Sequence, residues 1–88
     1  MSLHPAEQTI LEILAARGKH KSVCPTDVAK ALAGNPPDES WRRFLAPTKQ
    51  AAQRLARAGQ IEILRKGKPI DPEQLHGVIR LRLTSPEE

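Results

Sequence analysis

Residues 48–68 read TKQAAQRLARAGQIEILRKGK: a helical pattern, a glycine stop, a strand pattern and a basic turn in direct succession. At about 100° per residue, Leu45, Thr48, Ala52 and Leu55 fall on one side of a helix. Gln50, Gln53, Arg54 and Arg57 fall on the other side, a polar face with no acidic member. Gly59 ends the helix, because a glycine accepts the left-handed backbone that closes it. Residues 60–65 then read as a strand with Ile61 and Ile63 inward. The segment 66–77 is the tip of a hairpin, with turn chemistry at Lys66, Gly67 and Lys68, at Asp71 and Pro72, and at Gly77. Residues 78–83 alternate strictly, Ile79, Leu81 and Leu83 on one face and Arg80 and Arg82 on the other, as a half-buried strand requires.

Working upstream, the third helical stretch spans 41–58, with Pro47 inside it. The missing N–H of that proline predicts a kink or a fresh start there. Ahead of it, 35–40 is a loop with adjacent Pro36 and Pro37, and Ser40 or Asp38 is placed to cap the third helical stretch. A second helix spans 25–33: Cys24 sits at the cap, Pro25 first inside, Asp27 in the first turn where its charge suits the helix dipole, Val28 and Leu32 toward the core, and Gly34 at the stop. Residues 22–24 are a short extended piece. The first helix spans 5–17, opened by Pro5, stopped by Gly18, and carrying Ile10, Leu11 and Leu14 on one face.

The expected fold is therefore mainly α with a small antiparallel β-hairpin, in the order helix, strand, helix, helix, strand, turn, strand. At 88 residues the chain makes one domain, 1–88, with 84–88 a loose tail. No apolar run approaches the roughly 20 residues of a bilayer span and no start resembles a signal peptide, so a cytoplasmic protein with no membrane role is expected. The single cysteine, Cys24, excludes an internal disulfide. Net charge is +4, and its distribution is uneven. From Arg42 to Lys68 eight basic residues, Arg42, Arg43, Lys49, Arg54, Arg57, Arg65, Lys66 and Lys68, stand against Glu62 alone. An electrostatic footprint for phosphate belongs in that half.

This order of elements resembles winged-helix (winged helix-turn-helix) domains. The stretches SVCPTDVAKAL at 22–32, AAQRLARAGQIEI at 51–63 and KGKPIDP at 66–72 also resemble a small bacterial family of winged-helix-like proteins without assigned function. That family transfers no functional residue. The broader resemblance implies double-stranded DNA as partner, with the third helix in the major groove and the wing on the phosphates, as in a small transcriptional regulator. Residue chemistry permits this: Arg bonds guanine and Gln bonds adenine bidentately, and lysines reach phosphates without demanding one geometry. The expected DNA-binding residues are Lys49, Gln50, Gln53, Arg54, Arg57, Lys66 and Lys68. One feature departs from the pattern, since 34–40 and Pro47 intervene where a helix-turn-helix has three or four residues.

Other readings remain beside this one. The same Arg, Gln and Lys face is what solubility alone would place on a helix. A protein partner docking on it, or near Trp41, is the alternative to DNA. Cys24 at a helix start admits a redox sensor, against a small buried thiol beneath the second helix. Trp41 is assigned to the core. His4, His20 and His76 form no metal-ligand spacing, so neither metal nor other cofactor is expected. Asp71 and Glu73 are better explained by a turn with a short helix start than by catalysis, and with no nucleophile, base or phosphate loop an enzyme is not expected. The chain is expected to be a monomer or a weak homodimer.

Overall fold

A computed structural model describes residues 5–18, 21–75 and 77–84. Residues 85–88 of the expected 84–88 tail and all three histidines lie outside the described residues. The order is α1 (Pro5–Arg17), β1 (Ser22–Val23), α2 (Pro25–Leu32), a 3-10 turn (Ser40–Phe44), α3 (Leu45–Arg57), β2 (Ile61–Arg65), β3 (Lys68–Pro69) and β4 (Arg80–Leu83). Among the described residues no helix is long and apolar enough to cross a membrane.

Each helix begins and ends where its residues dictate. In α1, Ala6, Ile10 and Leu14 recur every fourth position and are all buried. Cys24 has extended backbone at the cap of α2, with Pro25 at the first helical position, where its absent N–H leaves nothing unpaired. The helix closes through Gly34 and Asn35, both at positive φ, and the Asn35 N–H donates to the Lys30 carbonyl at 2.7 Å.

The third helical stretch divides into two pieces, with the fresh start two residues ahead of Pro47. A 3-10 turn carries Trp41 and ends at Phe44, and α3 starts afresh at Leu45. Pro47 thus sits in the first turn of α3, where helix N–H groups have no intrahelical acceptor in any case. The turn is prepared by Asp38, which accepts the Ser40 N–H at 3.0 Å. That bond, then the Ser40 hydroxyl and the nearby Arg43 charge, hold the Asp38 carboxyl below its ordinary range.

The sheet is larger than the hairpin read from the sequence: four antiparallel strands in the order β1-β4-β2-β3. Its register places Ile61 opposite Leu83, and Ile63 opposite Leu81, which also faces Val23. These apolar residues line the face toward the helices, whereas Ser22, Glu62, Leu64, Arg80 and Arg82 belong to the other face. Strand β3 was not foreseen. Lys66 and Gly67 both take positive φ, as a two-residue type I′ turn demands, and the turn folds Lys68 and Pro69 back along β2.

The core joins α1, α2, α3 and the sheet through Ile10, Leu14, Val23, Val28, Leu55, Ile61, Ile63, Ile79 and Leu81. Ala51 and Ala52, both fully buried, let α3 approach closely. Thr48 is also fully buried, and its hydroxyl donates to the Phe44 carbonyl at 2.7 Å. Leu32 packs at the core's edge, half-buried. Trp41 is not core. It is half-buried, with the Lys30 ammonium 5.2 Å and the Arg42 guanidinium 5.3 Å from its ring centroid. Two cations within reach of the indole ring favour its partly exposed position.

Candidate nucleic-acid interface

The buried side of α3 is Thr48, Ala51, Ala52 and Leu55. Its outward side carries Lys49, Gln50, Gln53, Arg54 and Arg57, all present on or beside the polar face expected from the periodicity. What lies across that face is another matter. The helix itself contributes no acid, but α1 and the 70–79 segment bring two.

Arg54 donates through Nε to Glu7 of α1. The Glu7 side chain is 11% exposed and that of Arg54 45%, so the pair is sunk at one end and open at the other. A carboxylate so far removed from water needs a cation, and Arg54 is thereby committed to holding α1 against α3. Of the expected base-reading residues, Arg54 thus has its Nε engaged by a carboxylate of α1.

Arg57 and Gln53 face the segment that leaves β3. Because β3 and β4 lie on opposite sides of β2, the chain between them crosses β2, and contacts to α3 put the crossing on the helical side. Ile70 donates its N–H to the Ile63 carbonyl at 2.8 Å. Asp71 then builds a turn, accepting the Glu73 N–H on Oδ1 and the Gln74 N–H on its carbonyl, both at 2.9 Å. Gln53 Nε2 donates to the Pro72 carbonyl at 2.9 Å, and Arg57 Nη2 lies 2.5 Å from Glu73 Oε2. The turn expected at Asp71 and Glu73 is present, but the short helix start expected with it is not: 71–75 holds a turn only. That expectation also missed that Glu73 projects onto α3.

The remaining expected residues are differently placed. Gln50 and Lys66 and Lys68 are exposed, and Lys49 is half-buried. Among the described residues none of the three lysines has a carboxylate within ion-pair distance, and the Gln50 amide has no hydrogen bond. Lys49 lines a hollow of about 280 Å³ with Cys24, Leu45, Gly77 and Val78. Lys66 lines a second, of about 490 Å³, with Leu64, Val78, Arg80 and Arg82. Val78, 84% exposed, borders both, so a lysine of α3 and a lysine of the β2–β3 turn each share a hollow with one exposed apolar residue.

Arg80 and Arg82 extend this basic region and were not among the expected site residues. Their alternation with Ile79, Leu81 and Leu83 was the available signal. Arg82 is engaged by Glu62 at 2.6 Å, directly across the sheet, and Arg80 donates to the Ser22 hydroxyl at 2.6 Å.

Cys24 is half-buried and makes no cap bond through its sulfur, neither the fully buried thiol expected nor an open one. No group of three or more His, Cys, Asp or Glu side chains among the described residues is arranged to hold a metal ion.

Comparison with curated proteins returns no match. A family model, described as "Protein of unknown function (DUF3253)", matches residues 4–84. Covering nearly the whole chain, that match means that the protein belongs to the DUF3253 family.

Proposed function

We propose that this protein is a winged-helix domain that binds double-stranded DNA, with α3 in the major groove and the β2–β3 turn as the wing on the phosphate backbone. The observation that carries the reading is the pair of lysines whose hollows both border Val78: Lys49 from the helix and Lys66 from the turn, both without an acidic partner among the described residues. Such a pairing brings helix and wing to one surface, and ammonium groups free of carboxylates are what a phosphate backbone recruits. The strand order supports the winged-helix reading, since β4 lies between β1 and β2 with the turn emerging from β2. In this reading Gln50 faces base edges, Lys49, Arg57, Lys66 and Lys68 hold phosphates, and Arg54 is structural.

Titration of a fluorescent duplex at two salt concentrations tests it. With about four phosphate contacts, log affinity falls against log salt with a slope near −3.6, so a fourfold rise in salt weakens binding by about 10²-fold. Lys66→Ala and Lys68→Ala should each weaken binding to all duplexes alike and reduce the slope by about 0.9. No binding to any duplex at low salt sinks the proposal. The exposed Val78 then favours the other reading, a protein-docking module that uses the same surface.

A further inference from the structure

We infer that Gln53 and Arg57 form an anion site on α3 that is occupied by the chain's own Glu73, and that a phosphate oxyanion reaches the helix by displacing that carboxylate. As applied to DNA, the inference rests on the reading proposed above. The site is built rather than incidental. Arg57 donates through Nε to Glu73 Oε2 at 2.6 Å, and its Nη2 lies 2.5 Å from the same oxygen. Gln53 Nε2 reaches Oε1 at 3.4 Å while holding the Pro72 carbonyl at 2.9 Å. The carboxylate therefore meets two donor side chains one helical turn apart, a geometry that suits two oxygens of a phosphate equally.

Delivery of Glu73 is fixed by the backbone. Ile70 is tied to Ile63, Asp71 closes the turn over Glu73 and Gln74, and Ile70 and Leu75 on either side pack against the core. The loop thus presents its acid at one place on α3 instead of letting a long side chain wander. Contrast with Arg54 shows which pair can open. Glu7 is nearly buried, where water scarcely reaches its carboxylate, whereas Arg57 and Glu73 are 53% and 57% exposed and water can solvate either one. An ion pair so exposed shifts an equilibrium by at most about fivefold. Glu73 is accordingly a weak competitor, strong enough to disfavour adventitious anions and weak enough for a polyanion to displace.

Displacement also has a signature in salt dependence. When a phosphate takes Arg57, the DNA gives up a counterion, but the freed Glu73 beside it recruits a cation. Removing the charge of Glu73 abolishes that uptake and steepens the slope by up to about 0.9.

The test compares the parent with Glu73→Gln, Arg57→Ala, the double variant and Glu12→Gln, which removes an exposed acid of α1 away from the site. The Arg57 Nε–Hε resonance is followed on adding inorganic phosphate at constant ionic strength, and duplex affinity is measured in parallel. In Glu73→Gln, phosphate should perturb that resonance at a concentration about two- to fivefold lower than in the parent, with Glu12→Gln matching the parent. Duplex binding should tighten by a similar factor, and only where Arg57 is present. An equal phosphate response in parent and Glu73→Gln overturns the inference whatever the duplex does. A differential phosphate response with no duplex binding by any variant leaves the anion site standing and removes the DNA reading instead.

Discussion

Replacing Arg54 by Ala distinguishes a strut from a base reader. In the folded chain its guanidinium meets Glu7, whose side chain is only 11% exposed, while its own is 45% exposed. Fully exposed pairs contribute about 0–1 kcal/mol, and stranding one member of a buried pair costs about 3–5 kcal/mol. Here water screens the arginine but scarcely reaches the carboxylate, and Glu7 can relax outward at the open end, so about 1–2 kcal/mol is expected. In a domain of this size that lowers the melting temperature by about 4–16 °C. Glu7→Gln removes the charge that needs compensating. In that background Arg54→Ala should cost about 0.5 kcal/mol or less, the residue of its stem packing on the helix. Urea denaturation followed by the fluorescence of Trp41, the single tryptophan, measures all four chains. An Arg54→Ala variant as stable as the parent, or one losing as much stability with Glu7→Gln as without it, refutes the strut and returns Arg54 to the candidate interface.

Two further substitutions separate stability from binding. Lys66 occupies left-handed backbone at φ 55°, where asparagine is better tolerated, so Lys66→Asn should stabilise the fold by about 0.5–1 kcal/mol in urea while weakening duplex binding through loss of a cation. A destabilised variant would show that the lysine side chain matters more than the turn. Cys24→Ser places a better cap at α2, where the sulfur makes no cap bond, and should leave stability unchanged or raise it by up to about 0.5 kcal/mol in a thermal melt. A loss above about 1 kcal/mol would instead assign the thiol a packing role beneath the helix.

Local punctuation made much of the fold legible. Pro5, Gly18, Cys24-Pro25 and Gly59 mark helix ends because each acts on backbone dihedrals or on a single N–H within a few residues of itself. Apolar spacing identified the buried sides of α1, α2, α3 and β4, since periodicity reports which face avoids water. The break ahead of α3 was foreseen from Pro47 but misplaced. Proline forbids an intrahelical donor only at its own position, and the 3-10 turn through Trp41 and Phe44 allowed the chain to restart earlier. Strand β3 escaped because two residues, one of them Pro69, carry no periodic signal and exist as a strand only by pairing with β2.

The candidate site divides along the same line. Sequence by itself determined that α3 turns Gln50, Gln53, Arg54 and Arg57 away from the core and that Lys66 and Lys68 flank a glycine turn. Only tertiary structure decided which of these remain available. Glu7 lies 47 residues before Arg54, and Glu73 lies 16 residues after Arg57. A helix's own periodicity tells which side chains leave the core, but which charges lie across them depends on how distant segments are packed, and electrostatic pairing acts over ångströms in space, not over positions in the chain.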